Sequence, residues 1–305
     1  MRILVTGSTG LLGYAVAARC AASGHEVVGL ARGAEHPEGL ASKVQADISR
    51  PGLADALAGV GRCDAIVHCA VSRGGGEAEI ERTNRLGTEQ VLALASRWAS
   101  ERFIYLSGVT VIGRPRTLPI TEEHPVKPQG AYLVSKLEGE RLVAEASGKG
   151  MGAVSLRISA PIGVRMPADR MLAVFVRRAL AGQPLAVAGR GSRRQDYVDA
   201  RDVAAAVELT LAKPTSPLLN VAGGRSWGNL EVAQRCIALL GSESEVVHSG
   251  DDPQDDLAWD VSIERARAEL GWEPEHDVDR VIEELAGAQR SAPAASERSG
   301  SSPPP

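Results

Sequence analysis

The feature that most restricts this chain is a run of glycines at three-residue spacing close to its start, Thr6-Gly7-Ser8-Thr9-Gly10-Leu11-Leu12-Gly13. It joins an apolar, β-rich run (Ile3–Thr6) to a stretch with helical spacing (Leu11–Ser23). Such spacing permits a tight turn, a close approach of backbone to a pyrophosphate, and close helix–strand contact. The helix N-terminus adds free N–H groups and a favourable dipole. A glycine triplet alone is weak, because turns are glycine-rich; its place at the first strand–helix junction gives it weight. The residues expected around the phosphates are Gly7, Thr9, Gly10, Leu11, Leu12 and Gly13.

The strand–helix junction recurs along the next 140 or so residues. Glu26–Leu30, Lys43–Ala46, Ala65–Cys69, Arg102–Ser107 and Ala153–Ile158 read as further strands, apolar and bounded by turn residues or charge. Pro51–Ala58, Ile80–Arg97 and Ala131–Ala146 carry helical spacing between them. Strand–helix alternation predicts an α/β fold, a Rossmann-type doubly wound parallel sheet with helices on both faces. Near-continuous apolar strands such as Ala-Ile-Val-His-Cys-Ala are what a sheet covered on both sides requires. From Pro161 the pattern loosens into small helices and Pro/Gly turns, with a last helix near Val278–Leu285. The expected organisation is a dinucleotide-binding domain over residues 1–160, with 195–225 returning to it. A smaller C-terminal substrate-binding lobe would span 161–290, and a tail that cannot bury a core 291–305.

Composition excludes several partners. A net charge of −4 and an aromatic content of 3% offer neither a basic stripe nor a stacking platform, so nucleic acid is not expected. No apolar run reaches membrane length, and the apolar start is too short for a signal-peptide core. The four cysteines (Cys20, Cys63, Cys69, Cys236) form no CxxC and no cluster with histidines. They read as reduced, mostly buried thiols rather than a metal or redox site, which implies the cytoplasm.

Chemistry enters at Tyr132-Leu133-Val134-Ser135-Lys136, at the start of a helical stretch. Residues at i and i+4 share a helix face, so phenol and ammonium project together. A neighbouring ammonium favours phenolate and brings a weak acid towards useful proton exchange with a hydroxyl or ketone. Accidental spacing of a surface Tyr and Lys is the commoner explanation of such a pair, but not downstream of a dinucleotide turn.

With the Tyr-Lys pair added to the glycine turn, the chain resembles the extended short-chain dehydrogenase/reductase family, the NAD(P)-dependent epimerase/dehydratase group that includes UDP-galactose 4-epimerase. The resemblance runs from Met1 to about Leu285. It rests on the glycine turn, Asp64-Ala-Ile-Val-His-Cys69-Ala70, Asn84-Arg-Leu-Gly87-Thr88, Ser107-Gly-Val-Thr110-Val-Ile-Gly113 and Tyr132-x-x-x-Lys136. Later pieces are Gln195-Asp-Tyr-Val-Asp-Ala-Arg-Asp202, Asn220-Val-Ala and Leu270-Gly-Trp-Glu-Pro274. It implies that Tyr132 is the acid/base and that Lys136 holds the nicotinamide ribose. Cys69, Ala70 and Asn84 would lie on the cofactor side, and a homodimer would form through the helices 84–97 and 132–146. Asp47 and Ile48 follow a short strand, where the Asp meets adenine or merely caps a turn.

The sequence departs from the family pattern in three places. The position that usually carries a catalytic Ser or Thr is Gly108, with Ser107 and Thr110 beside it as candidate replacements. The dehydratases' Asp-Glu is here Val109-Thr110, which speaks against sugar dehydration. An Asn and an Arg usual at a substrate diphosphate are replaced by Ala160 and Gln195. Arg193 and Arg194, beside Gln195, could then reach a phosphate, with Arg194 and Gln195 the candidate substrate-side residues and a solvated loop the plainer alternative.

The second strand ends in Ala31-Arg32 instead of the acid that binds a ribose diol and repels a 2′-phosphate. NADP is therefore the expected cofactor, with NAD as the alternative if Arg32 points to water. The reading is an NAD(P)-dependent oxidoreductase moving a hydride at a secondary alcohol or ketone of a small molecule, by net reduction or as an epimerase on a sugar or nucleotide-sugar-like substrate. A non-catalytic, cofactor-binding sensor is the rival that Gly108 keeps open.

Overall fold

The computed structural model describes residues 1–291. The expected tail therefore lies outside the described residues, apart from Ser291 at the end of the last helix. The first half builds β1 (Arg2–Thr6), α1 (Leu11–Ala22), β2 (Glu26–Ala31), β3 (Ser42–Gln45), α2 (Leu53–Ala56), β4 (Ala65–His68), α3 (Glu77–Ile80), α4 (Gly87–Trp98), β5 (Arg102–Gly108), α5 (Gly130–Gly148) and β6 (Gly152–Ile158). Then come β7 (Ala160–Ile162), α6 (Met171–Leu180), β8 (Leu185–Ala188), β9 (Arg194–Asp199), α7 (Ala200–Ala212), β10 (Leu218–Val221), β11 (Ser226–Gly228), α8 (Asn229–Leu240), β12 (Val246–Ser249), α9 (Glu264–Leu270) and α10 (Val278–Ser291).

Seven strands form one parallel sheet in the order β10-β6-β5-β4-β1-β2-β3. The progression of strands across the sheet reverses between β1 and β4, the switch point at which such sheets bind ligands beyond their carboxyl ends. Every residue of β4 is buried, because helices cover both faces. On one face Val16, Ala17 and Cys20 of α1 meet Val203 and Val207 of α7 and Trp272. On the other, Val91 and Ala95 of α4 and Val143 of α5 pack over Phe103 and Tyr105.

The second half holds more sheet than its sequence suggests. β7, β9 and β11 form a three-stranded sheet, and β8 pairs with β12. Phe175, Val187, Val232 and Ile282 fill a separate core there. The segment 195–225 is divided: β9 belongs to the three-stranded sheet, while β10 extends the large sheet beside β6. These strands are three to six residues long, too short for a clear period-2 signature. Two helices also differ from expectation. Pro51–Ala58 yields one turn, since Gly52 takes φ 89. The stretch 80–97 begins at Glu77 and passes through a wide, π-helical turn at Glu81–Leu86.

Candidate active site

The glycine turn sits at the carboxyl end of β1, on the switch point. Gly7 has φ 67, and a Cβ there would lie 2.8 Å from the Ala70 backbone, so the turn rests directly on the loop after β4. At Gly13 a Cβ would meet the Gly7 carbonyl oxygen at 2.2 Å, which is why α1 can start so close to β1. Gly10 stands at the N-cap with no side-chain cap, and no acidic residue occupies the first turn. The first-turn N–H groups of Leu11, Leu12 and Gly13 therefore present the positive end of the helix dipole with no acid opposing it. A dinucleotide pyrophosphate fits this cradle. Thr9 Oγ1 lies 3.4 Å from where a side chain would begin at Gly33, next to Arg32.

Arg32 is largely exposed and pairs loosely with Glu79 at 3.5 Å. Asp47 lies near it. Burial pushes the Asp47 carboxyl up, but hydrogen bonds from Ser49 and the charges of Arg32 and Arg50 outweigh it and hold the group below its ordinary value. Its Oδ1 accepts the Ser49 N–H at 2.9 Å, closing the turn before Ile48 is buried against Gly87. Cys69 lies between the glycine turn and Lys136. Burial, against the opposing charge of Lys136, pushes its thiol up to about 12, so it stays protonated. Ala70 donates its N–H to Thr6 Oγ1 at 3.2 Å.

Tyr132 and Lys136 stand one turn apart on α5, above the carboxyl end of β5. Lys136 is buried and donates to the Leu106 carbonyl at 2.7 Å. Burial, then the nearby Arg73 guanidinium, lowers its ammonium from the ordinary 10.5 to about 7. Arg73 lies 5.8 Å from the centre of the Tyr132 ring. The Tyr132 ring thus faces a guanidinium that no sequence motif singles out. Asn84 fixes the local frame: its Nδ2 donates to the Ser72 carbonyl and to Ser135 Oγ, both at 2.9 Å, and its Oδ1 accepts Ser72 N–H at 2.7 Å. Ser135 in turn donates to the Tyr132 carbonyl at 2.8 Å. Ser72 and Ser135 were absent from the expected site because small polar residues carry no sequence signal until a partner reaches them.

The two candidate hydroxyls separate cleanly. Ser107 is corrected: its one proton goes to Glu140 Oε1 at 2.6 Å, inside a buried ion pair of Glu140 with Arg157 at 2.8 Å. It has nothing left to donate to a substrate oxygen. Thr110 is exposed, on the tight helical turn Val109–Ile112 that follows β5. That turn folds it back so that Oγ1 lies 3.4 Å from where a side chain would begin at Gly108. A hydroxyl thus stands beside the place left vacant by glycine.

On the substrate side, Arg194 is also corrected. Its guanidinium is used within the fold, with Nε on Ser226 Oγ at 3.0 Å and a second bond to the Ser226 carbonyl. Arg193, the residue just before β9, reaches Gln195 instead. With the Gln195 amide oxygen turned towards it, Arg193 Nε and Nη2 donate at 3.1 and 2.7 Å.

The sequence matches the profile of the NAD dependent epimerase/dehydratase family over residues 3–222. It is 30% identical to a dTDP-glucose 4,6-dehydratase of Streptomyces niveus over 76% of this chain and 70% of that one. Identity to dTDP-6-deoxy-L-talose 4-dehydrogenase (NAD(P)(+)) of Kitasatospora kifunensis is 29%, over 96% of this chain and 97% of that one. The fold superposes on UDP-glucose 4-epimerase of Thermotoga maritima, solved with UDP-glucose, with a TM-score of 0.87 at 22% identity, covering 95% and 99% of the two chains.

Proposed function

Because this chain belongs to the NAD-dependent epimerase/dehydratase family, and is thus an NAD(P)-dependent enzyme of the short-chain dehydrogenase type, we propose that it moves a hydride reversibly at the 4-hydroxyl of a nucleoside-diphosphate hexose. The observation that carries this is the placing of Tyr132 and Lys136 at the same sheet edge as the uncapped glycine turn. Tyr132 takes the proton of the hydroxyl and returns it to the ketone oxygen in the reverse step. Arg73 holds positive charge over its ring, and Lys136, whose ammonium is lowered to about 7, stands one helical turn away. Thr110 donates to the same oxygen as the carbon changes hybridisation. The nicotinamide, when bound, supplies the hydride acceptor. Val109 and Thr110 stand where the dehydratases carry Asp-Glu, so the reaction stops at oxidoreduction or epimerisation. The named relatives share position 4 of a nucleotide sugar, and Arg193 held by Gln195 supports an anionic substrate.

NADP is the proposed preference, because Arg32 is exposed and follows a second strand without a terminal acid. Arg32→Ala should erase a lower dissociation constant for NADPH than for NADH; tighter NADH binding by the unaltered protein would reverse the assignment. We also place the protein in the cytoplasm, where its four free thiols persist, and as a homodimer through α4 and α5.

The deciding experiment incubates the protein with UDP-glucose or dTDP-glucose and either oxidised cofactor, following nicotinamide absorbance and the sugar's NMR spectrum. Appearance of reduced cofactor with a 4-ketosugar, or of the 4-epimer without net reduction, is expected. A 4-keto-6-deoxy product would show dehydration instead, and no conversion of either sugar would reject the substrate class.

A further inference from the structure

His68 is the polar member of an otherwise apolar strand, fully buried at the end of β4 and used by none of the chemistry above. Its ring faces Tyr105 in a stack of 5.8 Å and lies near Phe103; the charge of Lys136 is felt there as well. Two hydroxyls take its nitrogens. Nδ1 lies 2.7 Å from Thr6 Oγ1 and Nε2 lies 3.0 Å from Thr88 Oγ1.

The direction of each bond comes from counting protons. Thr88 donates its only hydroxyl proton to the Asn84 carbonyl at 2.5 Å. It can then only accept from the ring, so Nε2 carries the hydrogen. Burial, reinforced by Lys136, holds the imidazole neutral, with its pKa lowered to about 3, so Nδ1 is bare and accepts from Thr6. Thr6 in turn accepts the N–H of Ala70, the residue on which Gly7 rests. One unbroken chain therefore runs from Ala70 N–H through Thr6, His68 and Thr88 to the Asn84 carbonyl. Asn84 lies in the π-helical turn, the kind of local widening often found at functional sites. Its side chain then holds Ser135 and, through it, the Tyr132 carbonyl.

We propose that His68, fixed as the Nε2–H tautomer, is a positioning residue that couples the dinucleotide turn to the Asn84 turn and thence to Tyr132. It acts through other residues and touches no reacting atom. The coupling requires dinucleotide binding only and stands apart from the choice of sugar.

Two measurements on the full chain test it. Nitrogen NMR of ring-labelled histidine should show His68 protonated at Nε2 alone, unchanged across about pH 5–8, where an ordinary histidine titrates. A proton on Nδ1, or titration in that range, would overturn the proposal. Hydrogen exchange with and without ADP, which covers the glycine turn and stops short of the nicotinamide ribose site, supplies the second. ADP should slow exchange in residues 7–13 and, by about fivefold or more, in 84–88 and 132–136. Thr88→Val keeps the shape but removes the hydroxyl. It should retain the slowing at 7–13 and lose it at the two distant segments, and Thr88→Ser should restore it. Distant slowing that survives Thr88→Val, or is missing from the unaltered protein, would refute the coupling.

Discussion

Two hydroxyls next to one glycine show how a single residue's partner decides its role. Ser107 and Thr110 look equivalent in the sequence, yet one proton donated to Glu140 removes the first from the reaction. Three substitutions should therefore give three different outcomes. Thr110→Ala is expected to lower kcat by about 10²–10³, the cost of a lost oxyanion donor, with the fold intact. Ser107→Ala should cost about 1–3 kcal/mol of stability, because it takes one partner from a buried carboxylate. Tyr132→Phe should abolish turnover while cofactor affinity holds, since the ring's packing survives and only the proton is lost. Steady-state kinetics with denaturant unfolding separates the three. Equal losses of kcat for Ser107→Ala and Thr110→Ala would mean that the assignment of the donor is mistaken. Tyr132, Lys136 and the glycines can be singled out as candidates in the sequence because their chemistry is tied to spacing. Arg73 cannot, because only the fold carries the loop after β4 to the phenol.

Among elements, inner parallel strands such as β1 and β4 were readable because burial on both faces makes them nearly continuous apolar runs. The π-helical turn was not, since a widened turn leaves no periodic trace in a stretch of mixed polarity. The proposed self-association runs through helices α4 and α5, and burial limits which of their residues are available to it. Leu94 and Ala95 are buried against the sheet and contribute nothing to a seam between chains, whereas Leu92 also borders the surface between the two helices. Val134 is 41% exposed on α5, with Leu133 and Leu137 partly buried beside it. A surface groove lined by Ala93, Leu142, Ala146 and Met151 runs alongside. Light scattering should give twice the 32.0 kDa of one chain, and Val134→Glu should shift the mass towards that of one. A single-chain mass for the unaltered protein at micromolar concentration would rule out the dimer.

At the level of the whole molecule, the site is held at a cost in stability, and pH exposes that cost. Lys136 must give up most of its hydration to stand under α5, and its ammonium falls from 10.5 to about 7. The unfolded chain keeps the ordinary value, so between those limits it binds more protons than the folded one. Stability therefore rises with pH across that window, by at most about 1.4 kcal/mol per pH unit from this group. The contribution is fully present above about 10.5 and lost as pH falls towards 7. Lys136→Met isolates it. The variant leaves the Leu106 carbonyl without its donor, a penalty of about 1–3 kcal/mol that does not depend on pH. Every other titrating group is common to both proteins. The difference in unfolding free energy, unaltered protein minus variant, should thus climb steadily as pH is raised from about 7 to about 10. Urea denaturation at a series of pH values measures it. A flat or falling difference would mean that Lys136 keeps its proton well above neutrality and that the site meets the hydroxyl with a permanent ammonium.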